Sequence, residues 1–122
     1  MSDAPSDRFQ AGAAVLEKLF GVAPKPSDDE FMRITIENLF GDVWTREGLE
    51  LRERSMITVT ALTVLGREAE LELHLRGALN VGVSRETILE MMLHLAHYGG
   101  WPVAVSGLRV ARKVFQRADE TS

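Results

Sequence analysis

The chain contains no cysteine. That excludes disulfides, thiolate-held metals, thiol nucleophiles and redox dithiols. It has no excess of positive charge either: 14 Lys and Arg stand against 18 Asp and Glu, for a formal net charge of −4. A basic coat for nucleic acid is therefore not expected. No apolar run approaches the roughly 20 residues needed to cross a bilayer, and the opening MSDAPSDRFQ has no apolar signal region. The expectation is a cytoplasmic protein without a membrane or nucleic-acid partner. What is present is ordinary for a globular chain, 45% hydrophobic and 26% charged residues over 122 positions, which suits one domain spanning 1–122.

The apolar residues recur at helical spacing, and no segment reads convincingly as a strand. Ser6 and Asp7 can cap a first helix whose face is Phe9, Ala13, Leu16 and Phe20, stopped by Gly21. Residues 22–26 hold two prolines and read as a loop. Ser27 and Glu30 form an S-x-x-E capping box for a second helix, with Phe31, Ile34, Asn38 and Leu39 on its inner side and Gly41 at its end. A third helix runs from about Leu51 to Leu65. It is apolar all round except for threonines and must be covered on every side, as the central helix or as an oligomer interface. The fourth runs from about Arg67 to Asn80. Ser84 caps a fifth with the face Ile88, Met91, Met92 and Leu95, and Trp101-Pro102 opens a sixth. The expectation is an all-α domain of about six helices.

The stretch 41–82 concentrates the candidates for chemistry. His74 falls within the stripe Leu71, Leu75, Ala78 and Leu79 and should face inward. It reads either as a core histidine bonded to a carbonyl or as a general acid or base, since its pKa is easily moved across neutrality. Trp44 and Arg46 share a loop: the tryptophan either pins the loop to the core or forms a pocket wall beside a cation. Arg46, Arg52 and Arg54 read as surface charge or as a carboxylate clamp, for which the planar guanidinium fork is suited. Glu90, His94 and His97 share one side of the fifth helix, with Tyr98 close to His94. They do not form H-E-x-x-H and have no fourth ligand, so no metal is expected. G-x-S-x-G is absent, and neither Ser55 nor Ser106 has a base partner evident in sequence.

The segments GDVWTREGL (41–49), RERSMITVTAL (52–62) and ELELHLRGALNVGVSRETILEMMLHLAHYGGWP (70–102) resemble the carboxymuconolactone decarboxylase family, with the resemblance extending over about 38–115 and residues 1–26 forming an N-terminal helix and loop. It implies the all-helical alkylhydroperoxidase-like fold and a homo-oligomer, a hexamer built as a trimer of dimers through apolar helix faces. The peroxidase branch carries two cysteines whose places here are Arg67 and Glu70, so the decarboxylase branch is the one resembled. The resemblance implies cofactor-free conversion of 4-carboxymuconolactone, a dicarboxylate lactone, to 3-oxoadipate enol-lactone in protocatechuate catabolism. A relative acting on another small acid or lactone, or a non-enzymatic oligomeric binding protein, are the alternatives. Carried over residue by residue, His74 is the proton donor or enolate stabiliser and Arg54 the arginine of the R-S-L/M-I-T motif. Glu53 tunes His74 or pairs with an arginine. Trp44, Arg46, Arg52, His94, His97, Tyr98 and Trp101 bind substrate or shape the pocket. His97 and Trp101 are bulkier than is usual there, which points to a narrowed pocket or a changed substrate.

Overall fold

The computed structural model describes residues 4–121, and those residues form helices and no strand. Six helices form two compact units, divided between Leu51 and Arg52. In the first unit, α1 (Asp7–Phe20) starts where the Ser6 hydroxyl accepts the Phe9 N–H at 3.0 Å. It ends at Gly21, whose left-handed φ of 84° lets its N–H reach the Glu17 carbonyl. Helix α2 (Glu30–Ile34) is capped by Asp29, which accepts from the Met32 N–H at 3.1 Å. The Ser27–Glu30 box is thus displaced by two residues, because the Ser27 hydroxyl is taken by the N–H of Asp29.

Beyond Ile34 the second helix winds over into a π-helix, Thr35–Val43, in which N–H groups reach back five residues, as Trp44 does to Leu39 at 2.9 Å. This overturns the expected inner face. Phe31, Ile34, Asn38 and Leu39 are exposed, while Ile36, Phe40 and Trp44, with Glu37 and Gly41, are buried. A buried residue every four positions is what the wider turn demands. The expected stop at Gly41 is also moved, to Val43. Gly41 is there for contact: a Cβ on it would strike the Arg8 carbonyl of α1, and one on Gly12 would strike the Ile36 carbonyl. Phe9, Ala13 and Ile36 fill the rest of this small core.

The second unit holds nearly all of α3 (Leu51–Leu65), then α4 (Glu68–Asn80), α5 (Arg85–Gly99) and α6 (Trp101–Thr121). Gly66, at φ 72°, turns α3 back along α4, and Arg52 Nε donates to the Gly82 carbonyl at the far end of that hairpin at 3.3 Å. Val59, Leu71, Leu75, Ala78, Ile88, Met92, Ala111 and Val114 form one core of side chains. Ser84 caps α5 as expected, accepting from the Thr87 N–H. Gly100, at φ 105°, turns the chain into α6. Arg85 latches the ends of α5 and α6 to each other through Asp119 at 2.6 Å, while Glu72 ties α4 to Lys113 and Arg117 of α6. Helix α3 is not covered on every side within the chain: Ile57 is 54% and Leu65 71% exposed.

Candidate active site

His74 sits where the apolar spacing of α4 places it, beside the buried Leu71, Leu75 and Ala78. The residue as a whole is half-buried, but its Nδ1 is sealed from solvent. Burial pushes the imidazole pKa below its ordinary 6.5, because a charged ring would lose hydration. At neutral pH the ring is uncharged and can donate one N–H.

The start of α3 brings the arginines. Arg54 is half-buried with its Nε sealed from water, while Arg52 and Glu53 are exposed. Arg52 is engaged at the Gly82 carbonyl and against Met56 Sδ at 3.5 Å. Arg54 stands in the first turn of α3 and His74 midway along α4, so the two principal candidates come from consecutive helices of the second unit.

Ser55, set aside in the sequence for want of a base partner, stands out in the structure for another reason. It is fully buried, and its Oγ makes no hydrogen bond among the described residues. Thr58, Thr60 and Thr63 in the same helix each donate to the carbonyl four residues earlier, at 2.7–2.9 Å. Leaving a buried hydroxyl without a partner costs about 1–3 kcal/mol, so Ser55 offers an unused donor beside Arg54. Nothing in the periodicity singles it out.

Trp44 and Arg46 belong to the first unit. Trp44 is buried there against Phe40, ring centroids 5.5 Å apart, so it pins its own loop; Arg46 is exposed. On α5, His94 stacks on Tyr98 at 5.0 Å, and His97 meets Trp101 edge-on at 5.8 Å. Glu90, His94 and Tyr98 edge a groove of about 560 Å³ whose floor is Met56, Met91 and Leu95. His97 and Trp101 lie outside that lining. Among the described residues no three His, Asp or Glu side chains come together as a metal site.

The model of the carboxymuconolactone decarboxylase family matches residues 29–113, beginning at the Asp29 cap rather than near residue 38. A 4-carboxymuconolactone decarboxylase of Acinetobacter baylyi is 36% identical over 73% of this chain and 66% of its own length. A nitrosuccinic acid decarboxylase of Metarhizium robertsii is 41% identical over 61% of this chain and 52% of its own length. The chain thus spans just under two thirds, or less, of the relatives it matches. With 85 consecutive residues matched by its model, the chain belongs to the carboxymuconolactone decarboxylase family.

Proposed function

We propose that the protein is a carboxy-lyase that decarboxylates 4-carboxymuconolactone without a cofactor, in the cytoplasm, on the aromatic-degradation route through protocatechuate. The observation that carries this reading is His74: an imidazole drawn into an apolar stripe, held neutral by burial, on the same hairpin as the half-buried Arg54. Loss of CO2 breaks one C–C bond and leaves its electron pair on the ring carbon. The pair delocalises through the unsaturated lactone onto the carbonyl oxygen, so the substrate is its own electron sink. Arg54 clamps one carboxylate in a bidentate pair, and Arg52 supplies further positive charge. His74 donates its N–H to the developing enolate oxygen, a stabilisation specific to the transition state. A proton drawn from solvent then reaches the ring carbon through the same imidazole. Glu53 orients His74 or balances Arg54. The homo-oligomer, a hexamer arranged as a trimer of dimers, is supported by the apolar side chains that α3 leaves outward.

The test is to mix the protein with 4-carboxymuconolactone and follow lactone loss and CO2 release. His74→Gln should lower kcat by about 10²–10³-fold with little change in KM. Arg54→Lys should cost roughly tenfold or more in kcat/KM, since the fork is lost. No turnover at high enzyme loading would overturn the assigned substrate. A second reading has its own support: the Metarhizium relative is named for decarboxylating nitrosuccinic acid, another small dicarboxylic acid. On that reading the same hairpin decarboxylates a shorter diacid, and a panel of such acids decides between the two.

A further inference from the structure

Ser55 is the buried hydroxyl to which the proposed chemistry assigns no role. It is fully buried in α3, and its Oγ makes no hydrogen bond among the described residues. The same helix shows what a hydroxyl ordinarily does there. Thr58, Thr60 and Thr63 each donate to the carbonyl four residues back, the local bond open to a hydroxyl inside a helix. Ser55 does not take it. In the same unit Arg54 Nε and His74 Nδ1 are sealed from solvent, and both belong to residues that carry the decarboxylation proposed above.

Spacing gives the direction of the side chain. Ser55, Val59 and Thr63, four residues apart, are the buried residues of α3 and so share one side of it. Val59 belongs to one core cluster with Leu71, Leu75 and Ala78, the stripe of α4 in which His74 lies. Ser55 therefore stands on the side of α3 turned to that stripe. Thr63 on the same side commits its hydroxyl to the Val59 carbonyl, and that of Ser55 remains open. We infer that Ser55 is a positioning residue for His74, its hydroxyl donating to the inward ring nitrogen. The inference rests on the decarboxylase reading given above and adds a residue to its site.

A neutral imidazole carries one N–H, and the bond made by one ring nitrogen decides where that hydrogen sits. Nδ1 is the nitrogen turned away from solvent, so Nε2 is the one that can meet the lactone. A hydroxyl donating to Nδ1 holds the ring hydrogen on Nε2, aimed at the developing enolate oxygen. The bond forms as the substrate complex closes, since catalytic hydrogen bonds commonly tighten only there. Ser55 itself touches no substrate and changes no covalent bond. A packing role would need its small volume and not its oxygen. Alanine fills nearly the same space and removes a buried hydroxyl that has no partner, a change that is close to neutral or stabilising for the fold.

The test is steady-state kinetics on 4-carboxymuconolactone, with urea denaturation of the same variants of the whole chain. Ser55→Ala should lower kcat about tenfold, the scale of one hydrogen bond in the transition state, with little change in KM and a urea midpoint no lower than that of the unaltered protein. Ser55→Gly should show the same kcat with a lower midpoint, because glycine weakens a helix interior. Activity then follows the hydroxyl while stability does not. Added to His74→Gln, Ser55→Ala should cost nothing further, since a residue that acts through His74 is silent without it. A Ser55→Ala enzyme with unaltered kcat overturns the positioning role and leaves the decarboxylase reading standing. A kcat that falls only in the glycine variant, together with stability, does the same, as does a tenfold loss that persists in the His74→Gln background. An unaltered protein that turns over neither the lactone nor a panel of small diacids overturns the reading, and the role of Ser55 with it.

Discussion

The two compact units are held together by different atoms. In the first, backbone meets backbone at two points: Gly12 lies against the Ile36 carbonyl and Gly41 against that of Arg8, with Phe9, Ala13 and Ile36 packed around them. In the second, side chains fill the interior, with Val59, Leu75, Ile88 and Met92 all fully buried. The glycine there, Gly107, faces the flexible Met92 sulfur rather than a carbonyl. A side-chain core tolerates small errors of volume because rotamers adjust. A backbone contact has nothing to adjust.

Substitutions at matched places should expose that difference. The largest effect is expected from Gly12→Val, whose side chain would have to occupy the space of the Ile36 carbonyl. It should abolish cooperative folding of the first unit, seen as loss of the buried Trp44 fluorescence signal. Next is Leu75→Ala in the second unit, which deletes a fully buried side chain and should cost about 2–5 kcal/mol by urea denaturation. Gly107→Ala should cost about 1–3 kcal/mol: its Cβ would lie 2.8 Å from Met92 Sδ and 3.0 Å from Thr63 Cγ2, and side chains, unlike a carbonyl, can shift. A Gly12 substitution no worse than Gly107→Ala would remove the distinction between the units.

The same distinction governs what could be read from the sequence. Periodicity of 3.6 residues found α3 to α6 and the inward place of His74, because those helices bury side chains at the spacing of an α-helix. It failed over residues 31–43, where i→i+5 winding changes which residues turn inward: Phe31 is 78% exposed and Glu37 is buried. No residue in TIENLFGDV announces that winding, which accompanies the close backbone approach of α1 at Gly12 and Gly41. In the candidate site, His74 and Arg54 were legible from their motifs, whereas Ser55 was not. What singles it out is a hydrogen bond it does not make, while Thr58, Thr60 and Thr63 in the same helix do.

Acid should separate the units once more, by a smaller effect with a definite sign. In the first unit the shifted carboxyls are Glu37, lowered from 4.5 chiefly by the Ser6 hydroxyl at 2.5 Å, and Asp42, lowered from 3.8 by Arg8. A carboxylate whose folded pKa is depressed contributes stability above its unfolded value and loses it as pH falls through the folded one. The first unit should therefore hold steady from pH 7 to about 5 and weaken below the ordinary carboxylate range. In the second unit His74 is depressed below 6.5 by burial. The unfolded chain binds the proton first, so stability begins to fall as pH drops past 6.5 and the loss is complete below the folded value. Trp101→Phe leaves Trp44 as the single tryptophan, reporting the first unit, and the Ile88 methyl resonance reports the second. Between pH 7 and 5 the urea midpoint at Ile88 should fall while that at Trp44 does not, and His74→Gln should flatten the Ile88 slope. Midpoints that fall together over this range would show that the proton is felt by both units and that the comparison stops at packing.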